Sequence, residues 1–178
     1  MKYTSTGIAD LWIIEPRVFE DERGYFFESF NKNSFKEFTG LDVEFVQDNE
    51  SKSTQGVLRG MHFQKGDHAQ AKLVRVIEGE VQDVVVDLRK DSPTCGQQYS
   101  INLSKENKKQ LFVPRGFAHG FLVISETAVF SYKCDNFYHK ESEGGLLYNC
   151  PNLSIPWQLT DESLTLSEKD LILPCFEK

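Results

Sequence analysis

Turn-forming residues punctuate this chain so often that a parallel sheet has little room to form. Runs with the two-residue period of strands occupy residues 44–48, 72–77, 80–88, 98–103, 110–113, 120–124 and 128–133. Between them stand Lys65-Gly66-Asp67, Glu78-Gly79, Asp91-Ser92-Pro93 and Pro114-Arg115-Gly116, which reverse a chain rather than carry it across a sheet. A parallel connection needs a dozen or more residues, usually helical, and such stretches are almost absent. The spacing predicts an all-β fold, an antiparallel sandwich or barrel with a few short helices. One helix is expected where Ser34 and Glu37 resemble a capping box, Phe35 and Phe38 share a face, and Gly40 could end it. No repeat, low-complexity tract or linker divides the 178 residues, so one domain over 1–178 is the simplest organisation.

Side-chain parity within the runs separates two faces. In residues 80–88, Gln82, Val84, Val86 and Leu88 point one way and Val81, Asp83, Val85 and Asp87 the other. Carboxylates among valines suit either a barrel interior that is partly a polar pocket or a side turned to solvent. Lys72, Val74 and Val76 likewise share a face, opposite Leu73, Arg75 and Ile77.

Composition narrows the function classes. A chain of this length buries about 70% of its unfolded surface and needs no metal or disulfide staple. With 39% hydrophobic and 26% charged residues and a mean hydropathy of -0.43, it reads as an ordinary globular protein, and no apolar run is long enough for a membrane helix. The N-terminus lacks an apolar stretch of signal-peptide length. Cys95, Cys134, Cys150 and Cys175 are scattered without a CxxC pair, so they are expected to be thiols in a reducing compartment, the cytoplasm. Twenty Lys plus Arg against 27 Asp plus Glu give a net charge of -7, which disfavours nucleic acid and anionic membrane as partners. An anionic ligand would need cations gathered in a cleft.

The four histidines are the first candidates for acid–base chemistry, because imidazole titrates nearest neutral pH. His62 lies in GVLRGMHFQ, three residues after Arg59, and His119 follows a Pro-x-Gly turn in VPRGFAHGF. A jelly-roll metal centre would use such segments, but it would carry His-x-His and a nearby carboxylate, where this chain has Gly60 and Gln64; no metal is expected. His68 and His139, in polar loop segments, are expected to be exposed. In DERGYFFESF, Arg23 could fork onto a phosphate and Phe26 stack on a ring, or the segment could be a strand with an exposed charged side. Ala128, Phe130 and Tyr132 share a face, so Tyr132 either packs in a core or gives a proton into a pocket. In LTLSEKD, Ser167 and Asp170 could cap a turn, or Asp170 could orient a histidine.

Together these stretches resemble the dTDP-4-dehydrorhamnose 3,5-epimerase family, cupin-fold enzymes of nucleotide-sugar metabolism. PRVFEDERGYFFESFN, FVQDNESKS, GVLRGMHFQ, QAKLVRVIEGEVQDVVVDLRKDSPT, LSKENKKQLFVPRGFAHGFLVISETA, Tyr132-Lys133 and LSEKD occur in family order across most of the chain. Met61 stands where Leu is common and Tyr25 where Phe is frequent. The resemblance implies an antiparallel jelly-roll barrel, no metal or organic cofactor, a dTDP-sugar substrate, and a homodimer whose N-terminal strands help complete the partner's site. It implies His62 as proton acceptor, Asp170 as its orienting partner and Tyr132 as proton donor. Diphosphate and sugar contacts would fall on Arg23, Arg59, Lys72, His119 and Lys169, and the other nucleotide contacts on Phe26, Glu28, Gln47, Asn49, Tyr138 and Glu143.

That set of residues makes chemical sense. A 4-keto group acidifies the C–H bonds at carbons 3 and 5, so a His base can remove a proton if the enolate oxygen is stabilised, for which Lys72 is a candidate. Inversion then needs a second group on the opposite face, and Tyr132 would supply it. A single epimerase acting on one carbon would share the His base, whereas a cupin that only binds sugar nucleotides would keep Arg23 and Phe26 but have no reason to retain a base, a paired acid and an aligned tyrosine together. One geometric demand follows: Arg59 and His62 point to opposite faces of a flat strand, so a bulge at Gly60 is expected.

Overall fold

The computed structural model describes residues 1–177. Strands β1 (Lys2–Ser5) and β2 (Trp12–Glu15) lead into a hairpin of β3 (Phe19–Asp21) and β4 (Gly24–Phe26), followed by helix α1 (Lys32–Thr39). Then come β5 (Gln47–Thr54), β6 (Leu58–Gln64), β7 (Lys72–Glu78), β8 (Glu80–Asp87) and β9 (Gln98–Ser104). β10 (Gln110–Val113), β11 (Phe117–Val123), β12 (Thr127–Cys134), a short β13 (Glu143–Gly145) and helix α2 (Glu168–Leu171) follow. One sheet runs β1-β2-β10-β7-β12-β5 and the other β13-β6-β11-β8-β9, with antiparallel pairing throughout. This is the expected antiparallel jelly roll.

The two sheets close on a shared core of Val74, Val76, Val81, Val85, Leu103, Leu111, Phe117, Phe121 and Phe130. Parity explains its membership: Val74 and Val76 come from the inward face of β7, Val81 and Val85 from that of β8. The opposite face of β8 is not solvent-exposed. Val84 and Val86 pack with Leu146, Cys150 and Leu153 under the C-terminal segment, and Gln82 bonds Pro156 O and the Gln158 amide. On the outer side of the larger sheet, Phe35 of α1 packs edge-on against Phe112 and beside Leu73 and Ile14.

Several expectations need correction. Gly40 does end α1 in the left-handed conformation (φ 76°), but the N-cap is Asn31, whose side chain accepts from the Ser34 amide at 3.1 Å; Ser34 sits inside the helix, and Phe38 stays exposed. The strand placed at 44–48 begins at Gln47 and continues to Thr54. Its inward residues Gln47, Asn49, Ser51 and Ser53 are all polar, so no apolar period marks it. The run placed at 120–124 starts earlier, at Phe117. Cys150 and Cys175 are not free thiols but a disulfide that fastens the chain after α2 to the segment after β13; Cys95 and Cys134 are free. The pairing removes the thiol argument for a reducing compartment. His68 and His139 are half-buried and stack on each other, 4.0 Å between ring centroids. Among the described residues no helix is long and apolar enough to cross a membrane.

Candidate active site

One sheet irregularity builds the site. His119 on β11 faces His62 on β6, and Phe121 faces Arg59, so Gly60 and Met61 together oppose Gly120 alone. This is the bulge that the sequence demanded, and it turns Arg59 and His62 toward one cavity while Met61 drops into the outer core. Only glycine fits here. Gly60 has φ +138°, and a Cβ on it would stand 2.5 Å from the Gly120 Cα.

A segment near the C-terminus closes one wall. The Leu58 amide donates to Thr165 O at 3.0 Å and the Thr165 amide to Gly56 O at 2.8 Å, which seats residues 165–170 beside β6. Ser167 then caps α2, accepting from the Asp170 amide at 3.2 Å, and the short helix turns Asp170 inward. The motif thus caps a turn and also brings Asp170 to His62. The Asp170 Oδ1 lies 2.6 Å from Nε2 of His62; the carboxylate is almost fully buried, the imidazole about one-third exposed. With Nε2 engaged, Nδ1 is the ring atom available to the cavity.

The cavity holds about 510 Å³ and is lined by Arg59, His62, Lys72, His119, Tyr132, Lys169 and Asp170, with Phe121, Phe130 and Leu166 as an apolar wall. An adjoining recess of about 300 Å³ shares His62, Lys72 and Tyr132 and adds Gln47, Asn49, Gln70 and Tyr138. Gln47 donates to Asn49 Oδ1 at 3.1 Å and accepts from the Tyr138 amide at 3.1 Å. Glu143 pairs with Lys169 and accepts from the Tyr138 hydroxyl at 3.3 Å. Of the expected site residues, Arg23, Phe26 and Glu28 are the three that stand apart. They belong to the β3–β4 hairpin and the segment after it, where Arg23 pairs with Asp21, Glu28 with Asn31, and Phe26 is 70% exposed.

Charges in the cavity are tuned by burial. Desolvation, then Cys134, push the Tyr132 phenol above its ordinary value despite the Arg59 charge, so it stays protonated. Burial lowers the Lys72 amine, opposed by the charges around it. For Glu143 burial alone would raise the carboxyl, but Lys169, Tyr138 and His62 together hold it below the usual range. Among the described residues no three of His, Cys, Asp and Glu come together in a way that could hold a metal ion.

The sequence reading left Asp83 open between a pocket and solvent, and it missed Ser51 and Ser53. Asp83 is fully buried and bonds His119 Nε2 at 2.8 Å, a second His–Asp pair; its interior parity among valines was the available signal. Ser53 accepts from Arg59 Nε at 3.0 Å and Ser51 lines the cavity, both from the polar inward face of β5.

This geometry has close parallels. The family model for dTDP-4-dehydrorhamnose 3,5-epimerase matches residues 5–178. A curated dTDP-4-dehydrorhamnose 3,5-epimerase from Salmonella typhimurium is 53% identical over 97% of this chain and 94% of its own. The crystal structure of dTDP-4-dehydrorhamnose 3,5-epimerase from Elizabethkingia anophelis superposes with a TM-score of 0.96 at 61% identity, covering 99% of this chain and 96% of the other. A dTDP-6-deoxy-D-glucose-3,5-epimerase from Legionella pneumophila, in complex with dTDP-4-keto-L-rhamnose, superposes at 0.90 with 47% identity over 99% of both chains. Similarity this high over nearly the whole chain means that the chain belongs to the dTDP-4-dehydrorhamnose 3,5-epimerase family.

Proposed function

We propose that this enzyme inverts carbons 3 and 5 of dTDP-4-dehydro-6-deoxy-D-glucose to give dTDP-4-dehydro-L-rhamnose. The observation that carries the reading is the His62–Asp170 pair beside a protonated Tyr132 in one cavity. Nδ1 of His62 removes the proton next to the ketone, the C–H electron pair forms a carbon–carbon double bond, and the carbonyl π pair moves onto oxygen as an enolate. Asp170 holds the ring in place and stabilises the imidazolium. The Lys72 ammonium stabilises the enolate. Tyr132 protonates carbon from the opposite face, and proton exchange with solvent resets both groups.

Binding follows the cavity's charge. Arg59, His119 and Lys169 suit the diphosphate, while Gln47, Asn49 and Tyr138 offer hydrogen bonds to the nucleoside at the adjoining recess, with Glu143 holding the Tyr138 hydroxyl and Lys169. Local cations thus reconcile an anionic substrate with a net charge of -7. Arg23, Phe26 and Glu28 are exposed on their own chain, which suits a homodimer in which each hairpin reaches the partner's nucleotide pocket. Mixing inactive Arg23→Ala and His62→Ala chains should then restore activity through mixed dimers with one intact site. A dTDP-linked substrate also fits a cytoplasmic enzyme, made where nucleotides are made.

The direct test is incubation with dTDP-4-keto-6-deoxyglucose in D2O, following carbons 3 and 5 by NMR. Deuterium at both carbons is expected. Exchange at a single carbon would make it a mono-epimerase, and none would leave a binding protein.

A further inference from the structure

Asp83 has no part in the scheme above, yet it is among the most constrained polar groups of the molecule. It is fully buried on β8, its Oδ2 is engaged by His119 at 2.8 Å, and its Oδ1 is buried with no hydrogen-bond partner. Its cross-strand neighbours, Phe121 on β11 and Ile101 on β9, have no donor to offer. A buried carboxylate oxygen left unpaired is costly, so its retention calls for a compensating charge.

The Lys72 amine, on which the Asp83 charge acts without a direct contact, is the candidate. The charged groups that act on its amine are Cys134 of β12, Asp83 of β8 and Glu143 of β13, and the cavity that it lines is shared with Arg59 and His62 of β6, His119 of β11, Tyr132 of β12, and Lys169 and Asp170 of α2. Burial lowers the amine, and the neighbours that oppose this are Cys134, Asp83 and Glu143. Cys134 is itself pushed up to about 11 by burial, so at working pH it is a neutral thiol with no charge to give. Glu143 is already paired with Lys169, and Asp170 with His62. Asp83 is the carboxylate left to face Lys72. At its other oxygen it holds Nε2 of His119, and no other described residue bonds that ring, so Nδ1 is the nitrogen free for a ligand.

We propose that Asp83 is a positioning residue of this active site, one that aims Nδ1 of His119 into the cavity and supplies the counter-charge keeping Lys72 an ammonium. This role rests on the epimerase reading, in which a charged Lys72 stabilises the enolate. Asp83→Asn isolates the charge, because the amide oxygen can still accept from His119. The expected result is unchanged thermal unfolding to within a few degrees, with the alkaline limb of the kcat/KM profile moved about one pH unit or more to lower pH, as Lys72 loses its proton more easily. Asp83→Ala, which also frees His119, should lose at least tenfold more activity than Asp83→Asn at pH 6. A profile of Asp83→Asn that superimposes on wild type would overturn the proposal. Should that variant fail to fold, Asp83→Ser, smaller and still offering an oxygen to His119, reads the same limb. Wild-type turnover is measured first: if the wild type is inactive on the 4-keto sugar, the functional reading fails, and the limb is then followed through calorimetric affinity for dTDP alone, where an unmoved limb again counts against Asp83.

Discussion

His62 and Asp170 are separated by 108 positions and meet at 2.6 Å, which makes their division of labour a matter of residue chemistry. The carboxylate is buried against the ring, whereas the ring reaches the cavity, where the proposed scheme has it meet the substrate. Replacing the base should therefore damage chemistry far more than binding. For His62→Ala we expect turnover to fall by roughly a thousandfold or more, with dTDP affinity measured by calorimetry changed less than about threefold. Equal losses in both would reassign His62 to binding. Tyr132→Phe keeps the packing on Phe130 and removes only the hydroxyl. Deuterium exchange into the substrate should continue while net inversion drops, and an undiminished rate of product formation would show that another group is the acid. The histidines at the site were legible from titration chemistry and from the motifs around them. The role of Asp83 was not, because an interior carboxylate and a solvent-facing one leave the same mark on an alternating strand.

At the level of elements, the site depends on departures from regular strands. The bulge in β6 moves a side chain across the sheet by inserting one residue, and the glycines at 60 and 120 allow the two backbones to approach. Gly60→Ala meets both a positive φ and a backbone contact, and a loss on the order of 3 kcal/mol in denaturant unfolding is expected, together with reduced turnover. Wild-type stability in that variant would mean that β6 can re-register freely. These same departures made the elements hard to read. β6 breaks its own two-residue period at the bulge. β5 points polar residues inward because the space it faces is a cavity and not a core, so its hydrophobic period vanishes there. Helix α1 was found by its glycine stop, but its start went to Asn31, since a side chain one turn earlier reached the free amide first.

Across the whole molecule, long-range ties hold the loops that frame the barrel. Asp87 at the end of β8 accepts from Arg89, Ser92 and Thr94, and Arg89 continues to Asp10 Oδ2 at 2.8 Å and Ala9 O at 2.9 Å, joining the N-terminal turn to the loop after β8. Burial would raise the Asp87 carboxyl, but these hydrogen bonds hold it at about 2 against an ordinary 3.8. Because the folded value is the lower one, the stabilisation is fully present above pH 3.8 and is lost as pH falls toward 2. It amounts to about 2 kcal/mol. Asp87→Asn should lose about that much at pH 7, and the gap from wild type should narrow in acid denaturation below pH 3.8; a gap independent of pH would show that the network works without its charge. Local chemistry, written in turn formers and alternation, was enough to determine from sequence the antiparallel class and most strand positions, since each depends on neighbours a few residues away, whereas the titratable groups of the site beyond the histidines were named by the resemblance to a known family. The tertiary structure alone decided that Asp83 holds His119, that Ser53 holds Arg59 and that Cys150 bonds Cys175. Those outcomes depend on which distant segments share space once the sheets have closed, and no local period encodes that.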